Sequence, residues 1–236
     1  MLINKERFKF QPNEDYRDSW VCNLLEQIPE GTKILDVGAG DCKYKKYCSH
    51  LKYTSQDLCE YNGTGNDEGL QTKEWDTSQI DIVSDIANIP VEDNCFDVIL
   101  CTEVFEHIFN PIEVIEELTR ILRKDGQLII TAPFCSLTHF APFHFYSGYN
   151  KYFYQTALAE KYEIIKLESY GNWFEYIGSE NLRLKNTVEL YAETKINLWD
   201  KILLGLLSLR YKKYSKMSKK SEELLCWGYL CIAKKR

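Results

Sequence analysis

No two cysteines in this 236-residue sequence are spaced as CxxC; the nine are scattered from Cys22 to Cys231. That pattern indicates neither a zinc cage nor a disulfide framework, and the thiols read as reduced and mostly buried. An excess of positive charge is also missing, the formal net charge being −6. This argues against a nucleic-acid partner, because sequence-independent affinity for phosphate backbones comes from many Lys and Arg contacts. No apolar run reaches the roughly 20 residues that cross a bilayer. The longest such region, "INLWDKILLGLLSL" (196 to 209), contains Asp200 and Lys201. The opening "MLINKERFKF" is charged throughout and lacks the apolar stretch of a secretory signal, so a cytoplasmic location is expected. Internal repeats and low-complexity linkers are absent as well. With 44% hydrophobic residues, the length suits a single domain, 1–236, around one generous core.

What is present alternates between two periods. Residues 13 to 28 place Tyr16, Trp20, Val21, Leu24, Leu25 and Ile28 at three- and four-residue intervals. That is the stripe of a helix lying on a sheet, with Asn13 as its N-cap and Pro29 and Gly31 ending it. "KILDVG" is a near-continuous apolar run, suited to a strand covered on both faces of a parallel sheet. Further strands are predicted at "YTSQDL", "DIVSDI", "FDVILCT" and "QLIITAP". Between the last two, a helix is predicted from Pro111 to Lys124, capped by Asn110, burying Ile112, Ile115, Leu118 and Leu122, with Gly126 just past its end. An aromatic-rich loop (134 to 154), a helix near 155 to 161, the strand "YEIIKLESYG", a mostly helical insertion (179 to 220) and a last strand "CWGYLCIAKK" complete the chain. Strand, helix, strand in repetition predicts a doubly wound α/β sheet with right-handed crossovers.

Ligands of open α/β sheets sit beyond the carboxyl ends of the strands, where the strand order reverses. In "KILDVGAGDCKY" (33 to 44) a strand ends at such an edge in Gly38, Ala39 and Gly40. The glycines allow positive φ and a close backbone approach, although a tight turn without a ligand needs the same residues. Asp57 ends the second strand nineteen residues after Gly38, where an acid can accept both hydroxyls of a ribose. Asp85 ends the third strand and Ile86 follows it, a pairing suited to an adenine amino group and ring face. The strand of "FDVILCTEVFEHI" opens into a polar turn at the same edge; a single acid in such a place is commonly a solvated loop residue, but these features at three successive strand ends point to a nucleoside.

These blocks resemble the class I S-adenosylmethionine-dependent methyltransferases, especially the branch that modifies small molecules and glycans. "ILDVGAGDCKY" is similar to the family's first motif, "SQDL" to its ribose-binding acid, "DIVSDIANIPVEDNCFDVILCTEVFEHI" to its adenine site and fourth strand, and "IEELTRILRKDGQLIITAPF" to the following helix and fifth strand. The resemblance covers about residues 30 to 175. It implies a Rossmann-like, seven-stranded, mostly parallel sheet whose seventh strand, inserted antiparallel, is "CWGYLCIAKK". It also implies S-adenosylmethionine as cofactor, with Asp36 supporting the turn, Gly38, Ala39 and Gly40 against the methionine and ribose, Asp57 and Leu58 at the ribose, Asp85 and Ile86 at adenine, and Cys101 and Thr102 facing the methionine. Cys42 stands where many members carry a third glycine. A nicotinamide enzyme is the nearest alternative fold, but "GAGDCK" puts Lys43 where its G-x-G-x-x-G fingerprint needs glycine. A protein that binds the cofactor without transferring its methyl group is the alternative of a different class.

A methyl group on a sulfonium is already activated, so the protein must mainly align the acceptor, and well-oriented proximity contributes roughly 7–11 kcal/mol. A base that takes the acceptor's proton adds typically about 10²–10⁴-fold. Candidates are His107 in "FEHIFNP" and His139 and His144 in "LTHFAPFHFYSGYNKYFY", with His144 slightly preferred for its dense aromatic surroundings. Each also has a bland role, anchoring its own turn or loop. No metal ligands are assigned. The N/D-P-P-Y/F turn of amino-directed nucleic-acid methyltransferases is missing, and "CTEVFEHI" stands there instead. The family resemblance therefore implies O-methylation of a small-molecule or glycan hydroxyl. Finally, the stretch 196 to 220 follows its apolar part with Arg210, Lys212, Lys213, Lys216, Lys219 and Lys220, a pattern that suits peripheral contact with an anionic membrane as well as a helix packed on the protein with a solvated basic end.

Overall fold

The computed structural model describes residues 13–72 and 75–236. They divide into two compact units: Arg17–Glu168 with Gly228–Arg236, and residues 13–16 with Ser169–Trp227.

The first unit is built on the apolar run after Thr32. Strand β1 (Lys33–Val37) buries Ile34, Leu35 and Val37 completely, and it pairs in parallel with β2 (Lys52–Asp57) on one side and β4 (Phe96–Thr102) on the other. Beyond β2 lies the two-residue β3 (Ile82–Val83), and beyond β4 lies β5 (Leu122–Pro133), both parallel. Strand β7 (Gly228–Lys235) runs antiparallel against β5, and β6 (Tyr162–Tyr170) is outermost, giving the order β3-β2-β1-β4-β5-β7-β6. The doubly wound, mostly parallel seven-stranded sheet and its inverted last strand are therefore as the sequence implies. Helix α1 (Asn13–Leu25) contributes Val21 and Leu25 to the core over Ile34, Val98, Leu100 and Ile129. Because the chain steps from β1 outward in both directions, the strands diverge at the carboxyl edge between β1 and β4, and the crevice of the fold opens there.

Four local expectations change. Helix α2 (Pro111–Ile121) ends before Lys124, because Leu122 is drawn into extended, fully buried pairing with Phe96 and Arg123 makes an ion pair with Asp97 at 2.7 Å. The turn's positive φ falls on Asp125, while Gly126 is needed for space: a Cβ there would lie 2.7 Å from Leu122 Cδ1 and 2.9 Å from the Asp97 carbonyl. Ile112 is half exposed, and the buried stripe is Val114, Ile115, Leu118 and Ile121. Helix α3 (Lys151–Ala157) starts earlier than 155, because the Asn150 side chain accepts the N–H groups of Tyr152 and Phe153. The third strand is short because Asp81 uses its side chain, accepting the Ser55 N–H and hydroxyl at 2.9 and 2.8 Å, where a longer strand would use backbone.

The second unit holds α4 (Trp173–Tyr191) and α5 (Leu198–Met217). The helical segment begins at Trp173, not 179, since Asn172 caps it by accepting from Phe174 and Glu175 N–H. The two helices form a hairpin in which the Asn181 amide donates to the Leu204 carbonyl and the Ser208 hydroxyl, both at 3.1 Å. Asn197 and Asp200 form a capping box at the start of α5. No helix among the described residues is long and apolar enough to cross a membrane.

Candidate functional site

A cavity of about 420 Å³ opens at the carboxyl edge of the first unit, within the size range of small-ligand sites. Four successive strand ends line it: Gly38 after β1, Gln56 and Asp57 at the end of β2, Asp85 and Ile86 after β3, and Glu103 and Val104 after β4. Its far end is aromatic, with Phe109, Phe140, Phe143, Phe145 and His107.

The glycine turn is shaped by its neighbours as much as by a ligand. Gly38 has φ +65, and a Cβ there would lie 2.5 Å from Val104 Cγ2, so Val104 of the β4 turn excludes every larger residue. Gly40 has φ +56, and its N–H donates to Asp57 Oδ2 at 2.9 Å. Cys42 adopts φ 57, a left-handed conformation that favours glycine. The other oxygen of Asp57 accepts the Cys59 N–H at 2.8 Å. Two backbone donors thus aim this carboxylate, and each oxygen keeps a lone pair to accept a ribose hydroxyl. Asp85 is held by the Ala87 N–H at 2.9 Å. The loop behind it is pinned by α2: Glu117 accepts the Ile89 N–H at 2.7 Å, and Arg120 donates to the Ile89 and Val91 carbonyls. These residues fit a nucleoside.

Other predicted residues stand elsewhere. Asp36 is buried behind the turn, where Tyr53 donates to it at 2.7 Å and burial pushes its carboxyl up to about 7; it supports the turn without lining the cavity. Ala39 and Gly40 also lie off the lining. Cys101 is fully buried in register with Val37 and Ile130, and neither it nor Thr102 lines the cavity, because the chain turns over the edge one step later at Glu103 and Val104. Leu58 and Ile86 do line it. Trp75 was not anticipated: it lines the cavity, edge-on to Tyr61 and Phe140 at 5.1 Å from each. A lone tryptophan in the polar segment after β2 is the signal that could have found it.

The three candidate histidines come together. His139 lies 4.7 Å from both His107 and His144, ring centre to ring centre. Of the three, His107 lines the cavity, although His144 was preferred. His107 Nδ1 is 2.6 Å from the Phe143 carbonyl, which can only accept, so the proton is on Nδ1. Burial and the neighbouring His139 hold its pKa down to about 3; such a ring is a weak proton acceptor at neutral pH. His144 Nε2 pairs with the Ser136 hydroxyl at 3.1 Å. Beside them stands Glu106, which sequence reasoning passed over inside "FEHI". It lies in the short 3-10 turn Phe105–His107 and is almost fully buried. Among the described residues, neither carboxyl oxygen has a hydrogen-bond partner. Burial, and then the charge of Glu103, raise its pKa well above the ordinary value.

Residues 35–130 match the family model described as "Methyltransferase domain". Over this stretch the chain is similar to methyltransferase domains. Sarcosine/dimethylglycine N-methyltransferase of Aphanothece halophytica is 25% identical over 118 residues, covering 49% of this chain and 43% of that protein. Glycine/sarcosine/dimethylglycine N-methyltransferase of Actinopolyspora halophila is 31% identical over 113 residues, 46% of this chain and 20% of that protein. The chain thus spans less than half the length of these curated relatives. A crystal structure of a SAM-dependent methyltransferase from Archaeoglobus fulgidus superposes with a TM-score of 0.57 at 13% identity, covering 96% of each chain, a likeness of fold.

Proposed function

We propose that this chain transfers a methyl group from S-adenosylmethionine to a small-molecule acceptor. The observation that carries the reading is the continuity of one cavity from the anchored carboxylates of Asp57 and Asp85, past Gly38, to an aromatic and histidine-lined end. When bound, the cofactor supplies a methyl already activated on a sulfonium. Asp57 would accept the ribose hydroxyls, Asp85 and Ile86 would take the adenine amino group and ring, and the turn at Gly38 would bring backbone against the methionine portion. Phe109, Phe143 and Phe145 would exclude water and seat the acceptor, so that orientation supplies most of the rate. A neutral, low-pKa His107 is suited to orienting an acceptor and poorly suited to deprotonating it.

The acceptor we favour is a hydroxyl on a sugar or other small ring, which the aromatic end suits; the curated relatives, named as N-methyltransferases of small amino acids, favour an amine as the second reading. Titration calorimetry with S-adenosylmethionine tests the binding step, and methyl transfer from labelled cofactor to parallel panels of hydroxylated and amino acceptors tests the chemistry. Saturable binding with labelling in the hydroxyl panel supports the proposal, labelling confined to the amino panel replaces its acceptor, and no binding ends it.

A membrane contact through 196–220 is proposed on a separate observation. Leu198, Trp199, Ile202, Leu203 and Leu206 are all exposed at helical spacing on α5, Trp199 to 77%, and Arg210, Lys213 and Lys216 follow on the same helix. Apolar insertion next to basic residues fits an anionic lipid surface. Flotation with acidic liposomes is the expected result, and failure to float with them removes the proposal.

A further inference from the structure

We propose that Glu106, His107 and His139 bind one divalent transition-metal ion at the acceptor end of the cavity. One ligand atom from each of the three residues lies within 4.8 Å of the other two. The two Nε2 atoms are 3.8 and 3.9 Å from Glu106 Oε1, too far for hydrogen bonds. Two ligands at about 2.1 Å from one ion, at a tetrahedral angle, stand about 3.4 Å apart. Side-chain movements of about half an ångström on the two Glu106–histidine edges, and of at most about an ångström and a half between the histidines, therefore close the set.

The wiring behind the ligands is what a metal site requires. His107 Nδ1 faces the Phe143 carbonyl at 2.6 Å, and His139 Nδ1 faces the Leu137 carbonyl at 2.8 Å. Carbonyls accept only, so both rings carry their proton on Nδ1 and turn an Nε2 lone pair toward Glu106. Metal-ligating histidines are oriented in this way by a backbone carbonyl on the other nitrogen. Glu106 is 1% exposed, and both its oxygens lack a hydrogen-bond partner among the described residues, as does His107 Nε2. Buried polar atoms without partners are costly, and a shared cation bound to Glu106 Oε1 and His107 Nε2 would give both of these a partner and neutralise the carboxylate as a whole. Glu103, by contrast, is committed to Arg17 at 2.9 Å and to the Thr131 hydroxyl at 2.9 Å, and stays outside the set.

Two imidazoles and one carboxylate suit zinc and its first-row neighbours, and not calcium or magnesium, which prefer all-oxygen shells. His107 lines the cavity, so an ion held by its ring would lie next to the place proposed for the acceptor. An acceptor oxygen bound there is oriented and made more acidic, which supplies what a low-pKa His107 does not. That role rests on the methyl-transfer reading; the site itself does not.

The full chain, stripped with a chelator, is titrated with Co²⁺ alone by visible absorption and with Zn²⁺ alone by calorimetry. One ion per chain is expected, with cobalt ligand-field bands and no thiolate charge-transfer band. Glu106→Gln and His139→Gln should each weaken binding by at least about 10-fold. No saturable binding of either ion, a cysteine charge-transfer band, or undiminished affinity in both variants would overturn the site. Circular dichroism confirms folding, and should Glu106→Gln not fold, the loop variant His139→Gln decides. Titration of the same preparations with S-adenosylmethionine separates the two ideas: cofactor binding without metal refutes the site alone, and metal binding without cofactor refutes the methyltransferase reading alone.

Discussion

On the glycine-turn side of the cavity, Asp57 accepts N–H groups from Gly40 and Cys59, and Asp85 accepts one from Ala87. On the histidine side, Glu106 is more deeply buried than either, and its carboxyl oxygens have no hydrogen-bond partner among the described residues. Asp36 lies between these extremes, buried and, among the described residues, accepting from Tyr53 alone. A carboxylate tied to backbone donors is a preset acceptor whose charge is compensated before any ligand arrives. A buried carboxyl without donors raises the free energy of the fold until a proton or a cation reaches it. The two sides are thus prepared for different partners, a nucleoside held by hydrogen bonds and an ion held by lone pairs.

The comparison can be broken at four points. The largest effect belongs to Asp36, whose pKa of about 7 in the fold compares with 3.8 ordinarily. The folded state holds the proton more tightly than the unfolded chain, so stability is fully present below about pH 4 and is lost as pH rises through about 7, by at most on the order of 4 kcal/mol. Denaturant unfolding between those limits should show the decline, and Asp36→Asn should flatten it. Next, Asp57→Ala should weaken S-adenosylmethionine about 100-fold by calorimetry, the loss of two hydrogen bonds to a charged acceptor; unchanged affinity would remove the ribose assignment. Gly38→Ala should cost about 2 kcal/mol of stability, from its positive φ and from the 2.5 Å approach to Val104, and part of that should return in the double variant with Val104→Ala. Smallest, Glu106→Leu in metal-free protein should stabilise by about 1 kcal/mol, because an apolar isostere removes the unpaired carboxyl. Destabilisation there would mean that Glu106 is satisfied in a way its surroundings do not show.

The same contrast explains which parts were legible in the sequence. The apolar runs of β1, β4 and β5 and the glycine turn announce themselves through local pattern, so the order of the sheet and the positions of Gly38, Asp57 and Asp85 at one edge could be read directly. Element ends were not legible where tertiary pairing overrides local preference: Leu122 completes a helical stripe in sequence but is worth more buried beside Phe96. Cys101 and Thr102 were misjudged by one strand step, since the residue at which a strand leaves the sheet is set by its neighbours. The Glu106 cluster was invisible for another reason. His139 joins it from 32 residues away through a loop whose course depends on contacts such as Leu70 N–H with the Thr138 carbonyl and Phe140 N–H with the Leu70 carbonyl, and no spacing rule brings those residues together.

The most direct test of the central claim is a crystal structure of the full chain with S-adenosylhomocysteine, the product form of the cofactor. The account predicts ribose hydroxyls on the Asp57 carboxylate, adenine against Ile86 near Asp85, and the sulfur directed past Val104 toward His107. A nucleoside bound elsewhere, or none bound at saturating concentration, would contradict it.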